Sequence, residues 1–340
     1  MSFLRKPPSK TLNSLSILTF TLRRFATQTA ASKPFPDVPT SAYYDEIAAD
    51  AGSSGNLDAL RDILNKRIKD GCFNTKRTFS FITNTNFSPS LVDDLIGTFS
   101  RLKQGFTRKN AFESLVTRLC KLHRVDDALR VVESMARGGG CELTASTFHP
   151  ILNLLTREKS MDQAQRVVDL MARLGVRLDL TAHNMFLMAH CFAGDLAAAA
   201  EVLRRMEEEG FEADARTFDA LVMGACRTGK VEGAMVMVRR MVDDGVPMVY
   251  STHMHVIVAL LKMKCYEQAV KYVRSFSGKD KALDAELFGC LGSKLVNLKS
   301  FEKAMLILEE MNQRGLPMGY KLREFYEMNV GNDKCKTSSD

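Results

Sequence analysis

One stretch of the sequence has the residue types and most of the spacing of a phosphate-binding loop. Residues 224–230 read Gly-Ala-Cys-Arg-Thr-Gly-Lys, which matches the glycines and the lysine of a Walker-type loop. That loop also needs a Ser or Thr hydroxyl after the lysine to hold magnesium, and it must follow a strand. Here the position is Val231 and the surroundings are helical in pattern. The sequence therefore argues against a nucleotide site, and Gly229 is predicted to lie in a turn between two helices.

Histidines and cysteines are the other residues whose spacing could give metal or nucleophile chemistry. His253 and His255 are two residues apart, so on a helix they point to different faces and cannot bind one metal ion together. None of the eight cysteines belongs to a Cys-x-x-Cys pair, which excludes the common zinc-ribbon and thioredoxin-type sites. Cys120, Cys191 and Cys226 recur at one position of a repeat and are predicted to be small buried packing residues. No cofactor and no metal site are predicted.

The elements that carry these residues repeat about every 35 positions. The repeat is marked by an alanine, at Ala128, Ala164, Ala199, Ala234, Ala269 and Ala304. Seven residues later come Met135, Met171, Met206, Met241, Phe276 and Met311. Apolar residues at i, i+3, i+4 and i+7 around each alanine are typical of a helix packed on one side. Gly210 follows one such helix as a C-cap glycine would.

Each repeat is therefore predicted to form two helices, and the fold class to be all-α. A single helical hairpin cannot bury its apolar stripe, whereas stacked hairpins can, so we expect a right-handed α-solenoid of 35-residue helix-turn-helix repeats. Two degenerate repeats are expected over 41–108, a capping helix over 320–330 and a disordered tail over 331–340. Six regular repeats are expected at 109–144, 145–179, 180–214, 215–249, 250–284 and 285–319.

The amino-terminal segment has the composition of an organellar transit peptide. Before Asp37, the first acidic residue, there are six basic residues and ten Ser or Thr, a pattern typical of import signals. We predict a transit peptide over 1–25, a linker over 26–40 and a mitochondrial matrix location, with the plastid as runner-up. The rival interpretation is a secretory signal built on residues 15–22. Five of the seven net positive charges lie in residues 1–25, which leaves +2 on the rest of the chain.

The overall composition is that of an ordinary soluble globular protein. Apolar residues make up 45% and charged residues 26% of the chain, which argues against a disordered or collagen-like protein. No run of 18 or more apolar residues occurs, so no membrane partner or membrane-spanning helix is predicted.

The repeat resembles that of the pentatricopeptide repeat family. The resemblance rests on residues 119–129, which read Leu-Cys-Lys-Leu-His-Arg-Val-Asp-Asp-Ala-Leu, and on the endings Met-x-x-x-Gly-x-x-x-Asp at 171–179 and 206–214. It is strong over 109–319 and weak over 41–108. Tetratricopeptide repeats are the nearest alternative, but their period is 34 and their early Trp and late Pro are missing here.

The resemblance implies that single-stranded organellar RNA is the partner, at roughly one nucleotide per repeat. In the family the fifth and last residues of a repeat face the base. Only Asn184 with Asp214 is similar to a well-used family pair, one that favours uracil. The predicted base-facing residues are Glu113 with Thr144, His149 with Asp179, Asn184 with Asp214, Asp219 with Val249, and Met254 with Asp284.

A second position implied by the resemblance lies near the end of the first helix, where the family meets phosphate. It is basic in four of six repeats, at Lys121, Arg157, Arg227 and Lys262, whereas Phe192 and Asn297 occupy it in the other two. Four contacts to the phosphates of a single strand would weaken binding about 50-fold between 50 and 200 mM salt. Only one repeat carries a residue pair similar to a family code for a base. The cations therefore suit a protein that binds RNA through its phosphates better than one that recognises a sequence.

The predicted function is therefore non-enzymatic. The chain lacks the zinc-deaminase signature and other added catalytic modules that the family carries. We expect an RNA-binding adaptor in mitochondrial transcript processing, stability or translation, with other RNA-processing proteins as possible partners. The alternatives are a structural subunit or associated factor of the mitochondrial ribosome, and a peptide clamp that acts on proteins alone.

Overall fold

The structure, a computed structural model, describes residues 39–85, 88–138 and 141–336 of the chain. These ranges form sixteen α-helices and no strand, which confirms the all-α prediction. The first eight are α1 (Ser41–Ser53), α2 (Leu57–Lys69), α3 (Pro89–Ser100), α4 (Phe106–Lys121), α5 (Val125–Arg137), α6 (Ala145–Arg157), α7 (Met161–Arg173) and α8 (Leu180–Ala193). The others are α9 (Leu196–Glu208), α10 (Ala215–Arg227), α11 (Val231–Asp243), α12 (Tyr250–Lys262), α13 (Tyr266–Phe276), α14 (Lys281–Asn297), α15 (Phe301–Gln313) and α16 (Tyr320–Lys336).

The helices belong to two compact units, and the boundary between them falls inside α8, between Ala182 and His183. In the first unit α4 pairs with α5 and also packs on α6, which pairs with α7. In the second unit α10 pairs with α11, and α10, α12 and α14 pack on one another in succession. Each unit is therefore a stack of two-helix hairpins in which first helices pack on first helices. This is the arrangement predicted for a solenoid of repeats.

Left-handed residues mark both kinds of turn in the stack. Between hairpins the chain reverses at a glycine such as Gly210, whose φ is 77°. The next N–H, that of Phe211, donates to the carbonyl of Met206 at 2.9 Å, which is the Schellman arrangement and confirms the C-cap predicted at Gly210. Inside the hairpins a residue with φ between 56 and 81° recurs at His123, Lys159, Gly194, Gly229, Lys264 and Lys299.

The repeated alanines and methionines lie in the core. All six alanines are at most 3% exposed, and the five methionines are at most 2% exposed. Phe276, at the methionine position of the fifth regular repeat, is partly buried against the core of the second unit. A small alanine lets two helices approach closely, and a flexible methionine fills the remaining space.

A buried ion pair joins α1 to α2 in the first hairpin, and hydrogen bonds to this ion pair hold the turn segment that follows. Arg67 is completely buried, and its Nη1 donates to Asp45 Oδ1 at 2.8 Å and to Thr78 Oγ1 at 2.9 Å. The Thr75 hydroxyl donates to Asp45 Oδ2 at 2.5 Å. These bonds fix residues 74–79 against the hairpin.

The second degenerate repeat, expected over 76–108, has one helix instead of two. Hydrogen-bonded turns at 76–81 take the place of its first helix. Pro89 begins its only helix, α3, where the missing N–H of proline has no cost. The next helix, α4, begins at Phe106, three residues before the expected boundary at 109.

Two boundaries near the carboxyl end also differ from expectation. Helix α14 begins at Lys281 rather than 285, because Asp280 accepts from Ala282 N at 2.8 Å and caps the helix there. Helix α16 runs to Lys336, past the capping helix expected to end at 330 and into the tail expected to be disordered. One glycine, Gly331, costs a helix only about 1 kcal/mol, so it does not end α16.

Some predicted segments lie outside the described residues. They are the transit peptide, the linker as far as residue 38, and residues 337–340. Within the described part of the chain, no helix has the length and apolar character needed to cross a membrane.

Candidate nucleic-acid interface

The four cations predicted to meet phosphate occupy one structural position. Each is the last residue of the first helix of its hairpin: Lys121 ends α4, Arg157 ends α6, Arg227 ends α10 and Lys262 ends α12. All four side chains are exposed. Across the described residues none of them forms an ion pair with a carboxylate. Two lie in each compact unit, so each unit presents a pair of uncompensated positive charges.

Their positions at helix C-termini have a local electrostatic reason. The last carbonyls of a helix carry partial negative charge, and a nearby cation contributes about 0.3–1 kcal/mol. This accounts for a basic residue at the position but not for its freedom from carboxylates. Second helices carry both kinds of cation: Arg130, Arg204 and Arg274 pair with Asp or Glu, whereas others are exposed and unpaired within the described residues. The first-helix cations are therefore set apart by their recurrence at one position.

Arg227 is held in place by an aromatic ring. Its guanidinium carbon lies 4.0 Å from the ring centroid of Phe192, the residue that replaces a cation in the preceding repeat. Phe192 is 45% exposed. A guanidinium keeps its N–H donors in its own plane, so stacking on the ring leaves their edges free for phosphate oxygens. Phe192 therefore orients the neighbouring cation.

Asn184 and Asp214, the pair most similar to a family code, are within contact of each other but are engaged inside the protein. Asn184 Nδ2 donates to Asp214 Oδ1 at 3.0 Å, and its Oδ1 accepts from Thr217 Oγ1 at 2.8 Å. Asn184 is only 7% exposed. Asp214 also caps α10 by accepting from Thr217 N at 2.8 Å. Both functional groups of the Asn184 amide therefore already have a partner.

His149 and Asp179 also form a pair. His149 Nε2 lies 2.9 Å from Asp179 Oδ1, with side chains 22% and 43% exposed respectively. The same carboxylate oxygen accepts from Ala182 N at 2.9 Å and so caps the start of α8. Among the predicted pairs that contact each other, this one is the more accessible to solvent.

Within the described residues, Glu113 and Asp219 hydrogen-bond to threonines and not to the residues predicted as their partners. Glu113 Oε1 accepts from Thr147 Oγ1 at 3.0 Å, and Asp219 Oδ1 accepts from Thr252 Oγ1 at 2.8 Å. Their predicted partners, Thr144 and Val249, occupy the N-cap positions of α6 and α12 without making a side-chain cap bond.

Met254 and Asp284 are both engaged within the second unit. Met254 packs against the core of the second unit. Asp284 lies inside α14, is 5% exposed, and accepts from Gly278 N at 2.9 and 3.0 Å. Because α14 begins four residues early, Asp284 has moved from a position between hairpins into a helix.

Comparisons with known proteins identify the family to which the repeat belongs. A family model described as pentatricopeptide repeat-containing protein matches residues 85–202 and 193–311. This chain belongs to the pentatricopeptide repeat family. It is 46% identical over 334 residues to a mitochondrial pentatricopeptide repeat-containing protein of Arabidopsis thaliana, covering 97% of this chain and 95% of the relative. A second mitochondrial relative from Arabidopsis thaliana is 45% identical over 290 residues, covering 85% and 82% respectively. The mitochondrial location is confirmed by these relatives.

Solved pentatricopeptide repeat structures are more distant. The chain is similar, at 15% identity and a TM-score of 0.46, to the pentatricopeptide repeat protein PPR10 in complex with an 18-nucleotide psaJ RNA element. That match covers 95% of this chain and 51% of the other, so the chain spans about half the length of PPR10. The repeat domain of Arabidopsis thaliana protein-only RNase P 1 in complex with tRNA matches with a TM-score of 0.39, over 52% of this chain and 94% of that domain.

The sequence analysis did not predict that threonines would hydrogen-bond to the side chains at the fifth position of the repeat. Thr147, Thr217 and Thr252 are each the third residue of a repeat, and each donates to the fifth residue of the repeat before it. They follow the same 35-residue period as the alanines, with Ala182 in the one intervening repeat. That recurrence is the signal that would have found them.

The phosphate-loop resemblance has a packing explanation. Gly224 lies inside α10, and a Cβ placed on it would be 3.0 Å from both Cβ and Sγ of Cys191 on α8. Gly229, with φ 76°, forms the turn between α10 and α11. The two glycines therefore serve a close helix contact and a left-handed turn, as predicted for Gly229.

Of the three cysteines predicted to be buried packing residues, Cys120 and Cys191 are buried, whereas Cys226 is only partly buried against the core of the second unit. His253 is 2% exposed with Nδ1 2.9 Å from Tyr272 Oη, whereas His255 lies near Asp219. Burial raises the pKa of Cys120 to about 12 and that of Cys191 to about 11, so both thiols stay protonated. Over the described ranges, no cluster of three His, Cys, Asp or Glu side chains has the geometry of a metal site.

Proposed function

We propose that this protein is a non-enzymatic adaptor that holds single-stranded RNA in the mitochondrion. The observation that carries the proposal is the set of four exposed, unpaired cations, each at the end of a first helix. Recurrence at one repeat position gives each unit charges at a defined place in successive hairpins. A single strand carries phosphates at regular intervals, which such an array matches. The relatives named above are mitochondrial and share the repeat.

The hydrogen bonds that the fifth residues already make within the protein favour RNA binding through phosphates over recognition of bases. Asn184 and Asp219 are each 7% exposed and already bonded to a threonine. A base edge would have to reach two nearly buried side chains and compete with these bonds, each of which contributes about 1 kcal/mol. The affinity is therefore proposed to come from phosphates, with little selection of sequence. Such a protein would shield a strand or keep it unfolded during transcript processing, stabilisation or translation.

The proposal is tested by reversing all four charges, with Lys121, Arg157, Arg227 and Lys262 each changed to Glu. Binding of a 20-nucleotide fluorescent oligouridine is measured by anisotropy between 50 and 200 mM salt. The four contacts alone would contribute about −2.8 to the slope of log affinity against log salt, which is about 50-fold over this range. The variant is expected to lose measurable binding.

A matched control carries the same change of charge on second helices. Arg166, Arg173, Arg239 and Lys271 are exposed and form no ion pair within the described residues, and two lie in each unit. Their reversal to Glu is expected to leave most of the binding intact. If both variants bind equally well, or lose binding equally, the assignment of phosphate contacts to the first helices is wrong.

A second candidate function is membership of the mitochondrial ribosome, which the engaged fifth residues favour. A repeat protein that does not read bases can dock on folded RNA by backbone contacts and shape. Sedimentation of mitochondrial lysate in a sucrose gradient separates the two candidates. A ribosome-bound protein is expected in the heavy fractions at high magnesium, whereas a free adaptor stays in the light fractions or shifts on ribonuclease treatment.

A further inference from the structure

An open basic cleft lies in the first unit between the turn segment 74–79 and helix α4. It has a volume of about 570 Å³. Four of its nine lining residues are cations, namely Lys76, Arg77, Arg118 and Lys121, and none is acidic. The hydroxyls of Ser114 and Thr117 line the side formed by α4. We call this the basic cleft.

The charges of the basic cleft are not neutralised by the protein. Lys76, Arg77 and Lys121 form no ion pair in the part of the chain that the structure describes. Arg118 donates to backbone carbonyls, through Nε to Ile82 O at 2.9 Å and through Nη2 to Ser80 O at 3.1 Å. It holds the turn segment without losing its charge.

The mutual repulsion of these cations affects the pKa of Lys121. Burial, and then the charges of Lys76 and Arg118, lower the pKa of the Lys121 ammonium. A bound anion would relieve that repulsion. The cleft also contains Asn74, whose Oδ1 is buried and has no hydrogen-bond partner. Because that oxygen is buried, a ligand in the cleft would meet the cations and not this amide.

An exposed aromatic pair lies at the start of α4, next to the turn segment that lines the basic cleft. Phe73 and Phe106 are 54% and 56% exposed, and their ring centroids are 5.6 Å apart with an interplanar angle of 81°. Phe73 directly precedes Asn74, whose N–H donates to Asn110 Oδ1 at 3.4 Å, and Phe106 lies one turn before Asn110 on α4. Exposed aromatic rings beside a cationic groove are the elements with which proteins bind single-stranded nucleic acids.

We propose that the basic cleft and the Phe73–Phe106 pair together bind a short stretch of single-stranded RNA. Phosphates lie among the cations, and the base of a neighbouring nucleotide stacks on the aromatic pair. This rests on the proposed function, because it supplies an additional contact for the same ligand. The site lies where the degenerate amino-terminal segment meets the first regular repeat, because its lining comes from residues 74–79 and from α4. An acidic protein segment would use the cations but would gain no stacking from the aromatic pair.

Two variants of the full-length protein separate the parts of the proposal. The cleft variant carries Lys76→Glu and Arg77→Glu, which leaves Arg118 and its structural bonds unchanged. The platform variant carries Phe73→Ala and Phe106→Ala. Lys66→Glu with Lys69→Glu is the charge-matched control, since both lysines are exposed on α2 and do not line the cleft. Circular dichroism verifies that each variant is folded.

Binding of the oligouridine 20-mer is measured by anisotropy from 50 to 200 mM salt. The cleft variant is expected to bind more weakly and to have a salt slope less steep by about 1.4, since two phosphate contacts are lost. The platform variant is expected to bind about five- to a hundredfold more weakly with an unchanged slope, because stacking is not ionic. The control is expected to follow the wild type.

The outcomes distinguish this inference from the proposed function. If the cleft and platform variants bind like the wild type while Arg227→Glu with Lys262→Glu weakens binding, the nucleotide site is overturned and the proposed function stands. If that second-unit variant also binds normally, both fail. Weakening in the cleft variant alone overturns the stacking role. If polyglutamate binding weakens in the cleft variant but not in the platform variant, while oligouridine binding is unchanged in both, the site belongs to an acidic protein instead.

Discussion

The ion pair between Asp45 and Arg67 is expected to hold both the first hairpin and the turn segment that lines the basic cleft. Arg67 is completely buried and the Asp45 side chain is 7% exposed. Burial acts to raise the pKa of Asp45, but hydrogen bonds from Thr75, Thr78 and Arg67 outweigh it and lower the pKa below its ordinary value. Replacing Asp45 with Asn keeps the shape and removes the negative charge.

The cost follows from leaving the Arg67 charge buried without a counter-ion. Removing one partner of a buried pair costs about 3–5 kcal/mol, which is a large part of the roughly 5–15 kcal/mol stability of a typical domain. In stacked repeats each hairpin contacts only its neighbours, so the loss stays local. Converted at 1.36 kcal/mol per tenfold, amides of residues 41–82 are expected to exchange about a hundred- to a few-thousandfold faster. Residues 285–316 should change little.

Hydrogen exchange with mass spectrometry at pH 7 measures this directly. Asp50→Asn is the matched control, because Asp50 is on the same helix and exposed, and it should exchange like the wild type. The double variant Asp45→Asn with Arg67→Met removes the orphaned charge and is expected to be more protected than Asp45→Asn alone. Exchange of the single variant within about fivefold of the wild type would refute the reasoning.

Two further predictions concern the second unit. Gly224→Ala is expected to destabilise by about 1–3 kcal/mol, because the new Cβ would be 3.0 Å from Cys191; Gly233→Ala, which meets nothing within 4 Å, should instead stabilise slightly. Urea titrations followed by circular dichroism compare them, and equal midpoints would contradict the packing argument. Burial lowers the pKa of His253, so below about pH 6.5 the unfolded state binds more protons and stability falls as pH falls. Thermal unfolding from pH 7.5 to 5.5 should show this loss, and His253→Gln should show less of it; identical pH profiles would rule out that role for His253.

The repeat and its hairpins could be predicted from sequence because they depend on residues that are close along the chain. Ala199 and Met206 lie on one helix, and their spacing alone shows which face must be buried. Gly210 ends that helix, and the hydrogen bond that closes the turn joins Phe211 N to Met206 O, only five residues apart. The early start of α14 has a local cause as well, the cap at Asp280, and was missed because the 35-residue period was extended past it.

The sequence by itself determined the period, the all-α class, the family and the position of the repeated cations. Only the tertiary structure decided which polar side chains are free to meet a ligand. Asn184 matches a family code in sequence, yet the next hairpin brings Thr217 to its amide. The basic cleft likewise exists only because folding brings Lys76 beside Lys121. The physical reason is that helical periodicity follows from local backbone geometry, whereas the availability of a side chain depends on which neighbour the next hairpin places against it.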